Sequence, residues 1–148
     1  MKTVSSISQK EINEKWYLVD AEGKRMGILA SKVAELLQGK NNPKIRSYHD
    51  PKVKVVVINV DKLDITPKRG LTKFYSAYSG YPGGIKYRNL SDQMKTNPTK
   101  PVELAVKGML PRTKMGEVML ANLKLFAGKE HSHEAQQPEL VNLKNLKL

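Results

Sequence analysis

The 148-residue sequence predicts a three-layer α/β/α protein with a small sheet, basic loops and polar terminal arms. The run VKVVVIN, residues 53–59, is apolar and β-branched almost throughout, which is typical of a parallel strand covered on both faces. A shorter apolar segment and a stretch with helical periodicity precede it, so a βαβ unit is expected. Hydrophobic residues make up 39% of the chain, which indicates a lean core.

The N-terminal part supplies the first half of that unit. Residues 1–15 are polar and aperiodic and are predicted to form an arm, followed by a strand over 16–19 and a turn over 20–23. GILASKVAELLQGK, residues 27–40, predicts a helix, because its apolar residues recur at helical spacing. They are Leu29, Val33, Leu36 and Leu37, and Gly39 is expected to end the helix.

The middle of the chain is predicted to contain a loop with two prolines and two short extended segments. Pro43 and Pro51 predict a loop before the central strand. After it, DKLDIT (61–66) predicts a further short strand, and KFYSAY (73–78) predicts an extended segment that enters a glycine-rich loop.

The C-terminal half is predicted to be mainly helical. Residues 89–111 predict one or two helices, with Asn97 as an N-cap and Pro98 at the first helical position. Residues 113–123 predict another helix with Met115, Val118 and Met119 facing inward. KLFAG (124–128) is interpreted as the last strand. The expected organisation is an arm over 1–15, an α/β domain over 16–128 and an extension over 129–148.

The composition favours a polyanionic partner. Lys and Arg total 26 against 14 acidic residues, for a net charge of +12. Such a chain attracts nucleic acid or, as the other large polyanion, an anionic membrane. Membrane binding is not expected, since no apolar run approaches the ~20 residues of a span and no basic amphipathic helix is evident. The absence of cysteine excludes disulfides and thiolate metal sites.

One segment concentrates both basic and aromatic residues. Residues 65–91 contain no Asp or Glu. Lysine and arginine neutralise phosphates, flat rings stack on exposed bases, and glycines let a backbone approach RNA closely. The alternative is that the glycines only form a turn and the tyrosines pack on the core. The candidate RNA-binding residues of this segment are Lys68, Arg69, Lys73, Tyr75, Tyr78, Ser79, Gly80, Tyr81, Gly83, Gly84, Lys86 and Arg88.

Two other acid-free clusters extend the candidate interface. The first long loop contributes Lys40, Lys44 and Arg46, close to His49. The surroundings of the GMLP motif contribute Lys107, Gly108, Arg112 and Lys114. Each cluster alone would be typical of a solvated surface, whereas together with residues 65–91 they indicate a multi-sided contact.

An enzymatic function is not expected. DAEGKRMG does not match the dinucleotide-binding glycine motif, and it lacks the Lys-Ser/Thr pair of a P-loop. The stretch EHSHE (130–134) is the best metal candidate, but a third or fourth ligand is not evident. We therefore interpret His131 and His133 as part of a loop near RNA and expect neither a cofactor nor a small-molecule substrate.

Several strings, in order along the chain, resemble the bacterial ribosomal protein L-thirteen family. They are KWYLVDAEGKRMGILAS (15–31), VVVIN (55–59), SGYPGGIK (79–86), VELAVKGMLP (102–111) and LKLFAGKEHSHEAQQPE (123–139). The resemblance covers about residues 15–140. It implies a mainly parallel four-stranded sheet and a non-catalytic, cytoplasmic protein of the large ribosomal subunit. It also implies binding to 23S rRNA, a part in early assembly, neighbouring large-subunit proteins as partners and no homo-oligomer.

The resemblance further implies which segments face RNA. These are residues 39–40, Lys73, residues 79–86, residues 107–111 and residues 128–137, the last adding Gln136 and Gln137 to the candidates. The sequence departs from the family pattern at Ile28, Lys52-Val53, Tyr78 and Glu117, so contacts made by the usual residues there are not carried over. A free regulatory module, such as a translational repressor that binds messenger RNA, is the alternative function.

Overall fold

The computed structural model describes residues 12–43, 45–46 and 48–142. Within these ranges it contains six strands, five α-helices and two 3-10 turns, the turns spanning Val60–Lys62 and Glu134–Gln136. The strands and helices, in chain order, are β1 (Lys15–Asp20), α1 (Met26–Leu37), β2 (Val53–Ile58), α2 (Pro67–Thr72), β3 (Phe74–Tyr78), β4 (Ile85–Asn89), α3 (Leu90–Thr96), α4 (Thr99–Met109), α5 (Lys114–Ala121), β5 (Leu123–Leu125) and β6 (Glu139–Leu140).

Four strands form a parallel sheet in the order β5-β2-β1-β6. In the central pair, Tyr17 lies opposite Val55 and Val19 lies opposite Val57. β1, α1 and β2 form the predicted βαβ unit, and the predicted α/β class with a small four-stranded parallel sheet is confirmed. β3 and β4 form a separate antiparallel hairpin.

The main core lies between the sheet and the helices α1 and α4. The four apolar residues predicted to share one face of α1 are all buried, at 0–1% exposure. They pack in one cluster with Val55 and Val57 of β2 and Val102 and Val106 of α4. Gly39 has a φ of +68°, and its N–H donates to the carbonyl of Leu36. The predicted helix and its glycine stop are therefore confirmed.

The C-terminal segment covers the other face of the sheet. Alternation along β2 directs Lys54 and Val56 away from α1. On this side the ring of His133 lies 5.2 Å from that of Trp16 and 5.8 Å from that of Phe126. β6 then pairs with the outer edge of β1, so the polar C-terminal stretch contributes a strand and part of the outer layer.

Two strand predictions need correction. DKLDIT does not form a strand, because Asn59 adopts a left-handed φ of +57° and turns the chain into the 3-10 turn over Val60–Lys62. The N–H groups of Val60 and Asp61 donate to the carbonyls of Phe126 and Ala127, each at 3.3 Å. Residues 124–128 are not the last strand either, because β6 follows β5. The strand β4 and the helix α2 were not predicted.

The helical half contains both predicted helices, α3 and α4, with one shifted boundary. Asn97 ends α3, and Pro98 precedes α4 as its N-cap residue. The Asn97 side chain accepts a hydrogen bond from the Thr99 hydroxyl at 2.7 Å instead of capping a backbone N–H.

The predicted inward face of α5 is partly wrong. Met119 is buried and Met115 packs against the core, as predicted, but Val118 is 44% exposed. The buried residues of α5 are Gly116 and Met119, which lie one turn apart on the face that packs against the core. In the described part of the chain, no helix is long and apolar enough to cross a bilayer.

Candidate nucleic-acid interface

The hairpin of β3 and β4 is the most exposed regular element of the acid-free segment. Phe74 pairs with Asn89 and Tyr78 pairs with Ile85, and residues 79–84 connect the strands. The base of the hairpin is fixed by a 2.8 Å hydrogen bond from the N–H of Leu90 to the carbonyl of Lys73. Leu90 is buried, so the hairpin is anchored at one end while its strands lie outside the core.

One face of the hairpin is basic. Because side chains alternate along strands, Tyr75 and Ala77 share a face with their cross-strand partners Arg88 and Lys86. The Nζ of Lys73 lies 5.4 Å from the centroid of the Tyr75 ring, a distance typical of a cation–π contact. This face therefore presents Lys73, Lys86 and Arg88 together with one aromatic ring, and we call it the basic face.

A groove adjoins the basic face. It has a volume of about 470 Å³ and lies between the hairpin and the helices α3 and α4. Lys86, Arg88 and Lys100 line it. Lys100 forms a 2.9 Å ion pair with Glu103. Sequence reasoning missed Lys100, because only the packing of α4 beside the hairpin brings it to this groove.

The opposite face of the hairpin is apolar and aromatic, and we call it the aromatic face. Phe74, Tyr78, Ile85 and Tyr87 are between 50% and 67% exposed, and Tyr81 at the tip is 76% exposed. Contiguous exposed apolar surface is typical of an interaction site. The alternative in which the tyrosines pack on the core is therefore wrong for these residues. Tyr75 on the basic face is half-buried, and its hydroxyl has no hydrogen-bond partner among the described residues.

The tip of the hairpin is a tight turn. The N–H of Gly84 donates to the carbonyl of Tyr81 at 2.9 Å, and Gly83 has a φ of +72° after Pro82. Proline followed by a left-handed glycine is typical of a type II turn. A Cβ on Gly84 would collide with the Oγ of Ser79. The left-handed φ therefore requires glycine at residue 83, and the close approach of Ser79 favours glycine at residue 84.

The helix α2 brings two further candidates to the base of the hairpin. Lys68 and Arg69 are both exposed on this helix, which begins at Pro67 and ends just before Lys73. Gly70 is the buried residue of α2, and a Cβ there would collide with the Oγ of Ser91 in α3. This close approach of α2 to α3 holds the cations of α2 beside the strands.

A second basic cluster surrounds Pro111. Pro111 lines a groove of about 180 Å³ together with Lys40 and Arg46. It also lines a groove of about 410 Å³ together with Arg112 and Lys114. The fold thus brings together two clusters that are far apart in sequence.

The remaining members of these two clusters vary in their placement. Lys107 lines the larger groove, and Gly108 is exposed on α4. Glu117 lines the same groove, which reduces its positive potential. Lys44 lies outside the described residues. His49 is buried, and its Nδ1 accepts a long hydrogen bond of 3.5 Å from the N–H of Arg46, so it shapes the loop.

The C-terminal candidates lie apart from the hairpin. His131 and His133 are half-buried on the sheet face that α1 does not cover, and the His131 ring lies 6.2 Å from that of Phe126. Both histidines therefore have a structural role in packing against aromatic rings. Gln136 and Gln137 are exposed. No group of three or more His, Cys, Asp or Glu that could hold a metal ion occurs among residues 12–43, 45–46 and 48–142.

Two acidic groups with shifted pKa values belong to the sheet. A hydrogen bond from the Asn59 side chain, at 2.8 Å, lowers the pKa of Asp20. A hydrogen bond from Lys54 at 2.6 Å lowers the pKa of Glu14. Lys54 also lies 4.7 Å from the Trp16 ring centroid. These acids serve local structure at the ends of β1, away from the hairpin.

Comparison with known proteins extends the resemblance seen in the motifs. A family model described as ribosomal protein L13 matches residues 14–132. A large ribosomal subunit protein uL13 from Natranaerobius thermophilus is 44% identical over 139 residues, covering 94% of this chain and 97% of the relative. The protein of the same name from Mycoplasma mobile is 45% identical, covering 97% of this chain and 100% of the relative. That from Coxiella burnetii is 46% identical, covering 90% and 94%. The matched residues include the hairpin and the cluster around Pro111.

Proposed function

Because the chain belongs to the ribosomal protein L13 family, we propose that it binds 23S rRNA in the large ribosomal subunit and supports early subunit assembly. Members of this family are structural components of the ribosome and not enzymes. A structural role therefore follows from membership, and the specific proposal concerns the RNA and the surfaces that bind it.

The observation that carries this proposal is the exposed hairpin. Its basic face can neutralise phosphates, which releases the counterions condensed on RNA. Its aromatic face can stack on unpaired bases, which RNA-binding proteins commonly recognise in loops and bulges. The segment from Ile65 to Ser91 contains no acidic side chain that would oppose either contact.

The cluster around Pro111 supports a role in assembly. It combines Lys40 and Arg46 of the loop after α1 with Arg112 and Lys114 after α4, and none of its lining residues lines the groove or the pocket beside the hairpin. A rigid body with two basic surfaces can hold two RNA helices at a fixed separation. We therefore propose that the domain joins separate rRNA segments and contacts neighbouring large-subunit proteins through its remaining surface.

The direct experiment is sedimentation of a cell lysate through a sucrose gradient at low and moderate salt, with detection of this protein. Comigration with the large subunit at both salt concentrations is the expected result. Confinement to the light fractions would contradict the proposal and would favour the alternative of a free regulatory RNA-binding module.

Salt dependence provides a second readout on purified components. If the protein neutralises 6–10 phosphates, its affinity for 23S rRNA should fall by about 10³–10⁵ between 50 and 200 mM salt. A much shallower dependence would show that phosphate neutralisation contributes little to the interaction.

A further inference from the structure

A pocket of about 450 Å³ opens beside the hairpin base, and nothing in the proposed role accounts for it. Its walls come from the start of α1, residues 64–66, α2, Leu90 and the side of α4. α1 follows the carboxyl end of β1, and residues 64–66 follow β2 and its 3-10 turn. Ligands of open parallel sheets bind at this carboxyl edge, so the location suits a binding site.

The chemistry of the pocket is divided between an apolar floor and a basic rim. Met26, Ile65, Leu90 and Met109 supply apolar side chains, and Ala105 leaves open space between them. A floor of this kind accepts the flat ring face of a group such as a nucleobase.

The rim carries an excess of positive charge. Arg69 and Lys73 line it, and both residues are exposed. Arg25 also lines it, and its Nε lies 3.9 Å from a carboxylate oxygen of Asp64, the one acidic residue of the lining. With Asp64 paired to Arg25, two cations remain for an anionic ligand.

We propose that this pocket receives one unpaired nucleotide of the bound RNA, with its base against the apolar floor and its phosphate at Arg69 and Lys73. The inference rests on the proposed function, since the nucleotide belongs to the RNA strand that the hairpin binds. The volume lies within the ~300–1,000 Å³ range of small-molecule sites, which suits a single nucleotide.

Lys73 connects the pocket with the basic face. It lines the pocket rim, and its Nζ also lies 5.4 Å from the Tyr75 ring centroid on the basic face. Its carbonyl is fixed by the 2.8 Å hydrogen bond from Leu90, a residue of the pocket floor. The pocket therefore begins at Lys73, the residue directly before the hairpin, so an RNA strand that follows the basic face can reach it.

The substitution Gly27→Glu blocks the pocket without a clash. Gly27 lines the pocket, and a Cβ added to it meets no atom within 4 Å. It is the second residue of α1, where a carboxylate interacts favourably with the helix dipole, so folding should be preserved. The new carboxylate would repel a phosphate at the rim. Ile28→Glu is the matched control, because it places a carboxylate on the next residue, which is 56% exposed and does not line the pocket.

The experiment is a titration of isotope-labelled full-length protein with AMP, GMP, CMP and UMP, followed by amide NMR shifts. At least one monophosphate should give saturable shifts at Gly27, Ile65 and Ala105 in the wild type and in Ile28→Glu. Its affinity should fall at least about tenfold, that is by about 1.4 kcal/mol, in Gly27→Glu. The corresponding nucleoside, which lacks the phosphate, and ribose 5-phosphate, which lacks the base, should each bind more weakly than the best monophosphate.

Absence of saturable shifts at about 10 mM of every monophosphate would overturn the inference, as would equal binding by Gly27→Glu. Equal binding of ribose 5-phosphate would also overturn it, because the pocket would then be only an anion site. Binding of the same preparation to 23S rRNA is measured in parallel. If the wild type binds 23S rRNA but no nucleotide, only the nucleotide site is rejected. If the wild type does not bind 23S rRNA at all, the proposed function is rejected.

Discussion

The strand β2 and the hairpin use apolar side chains in opposite ways. Val55, Val56 and Val57 are completely buried between two layers, so they contribute stability by leaving water. Phe74 and Tyr87 in the hairpin are 59% and 67% exposed, so they contribute little to the free energy of unfolding. We therefore expect stability and RNA binding to depend on different elements, so that each can be altered without the other.

The largest expected effect is on the stability of the body. Leu29→Ala should lower the free energy of unfolding by about 2–5 kcal/mol, because Leu29 is fully buried in the main core and its truncation leaves a cavity. Urea denaturation measures this change. The same measurement on Tyr87→Ala should show a change within about 0.5 kcal/mol. Similar losses in both variants would show that the hairpin also contributes to the stability of the fold.

Replacing two glycines that lie in helices by alanine should change the stability in opposite directions. Gly116→Ala should destabilise the protein by about 1–3 kcal/mol, because the new Cβ would collide with the carbonyl oxygen of Pro111. Gly108→Ala should be neutral or stabilise it by up to about 1 kcal/mol, because a Cβ there meets nothing within 4 Å. Thermal unfolding of both variants checks the contrast, and a stable Gly116→Ala protein would contradict the packing of α5.

The aromatic face should affect RNA affinity and leave stability unchanged. Tyr87→Ala should weaken binding to 23S rRNA by about 1–3 kcal/mol if the ring stacks on one base. Tyr87→Phe keeps the ring and should bind nearly as well as the wild type. Filter binding at fixed salt measures both affinities, and an unchanged Tyr87→Ala affinity would exclude stacking by this residue.

The smallest effect concerns acid stability. Asp20 accepts hydrogen bonds from the Asn59 side chain and from the N–H of Glu22, and these lower its pKa below the ordinary 3.8. Its contribution to stability is therefore present above about pH 4 and is lost as pH falls through the lowered pKa. Asp20→Asn should make the stability less dependent on pH in this acidic range. Denaturation midpoints between pH 2 and pH 6 test this, and an unchanged pH dependence would contradict it.

The buried body could be predicted from sequence because its signals are local. Consecutive valines identified β2, and helical spacing of leucines with a terminal glycine identified α1. The strand β6 has only two residues and forms because it pairs with β1, so no local pattern marks it. β4 was missed because its side chains are mostly exposed, which removes the burial pattern that identifies a strand.

The sequence could predict which segment forms the candidate interface, but not how its side chains are arranged in space. The absence of acids over residues 65–91 indicated the segment, while the separation into two faces depends on the pairing of Tyr75 with Arg88. The meeting of Lys40 and Arg112 around Pro111 depends on long-range packing. The packing of His133 against Trp16 likewise depends on tertiary structure, and no local pattern in the sequence marks it.

The most direct test of the account is the salt dependence of 23S rRNA binding by a triple variant of the hairpin. Lys73, Lys86 and Arg88 are replaced by Ala. The matched control replaces the half-buried Lys24 and the exposed Lys62 and Lys124, which all lie outside the hairpin, by Ala. Because each phosphate contact contributes about one unit to the slope of log affinity against log salt, the hairpin variant should lose about three units. The control should keep the wild-type slope. Equal slopes for the hairpin variant and the wild type would contradict the claim that the hairpin is the RNA-binding surface.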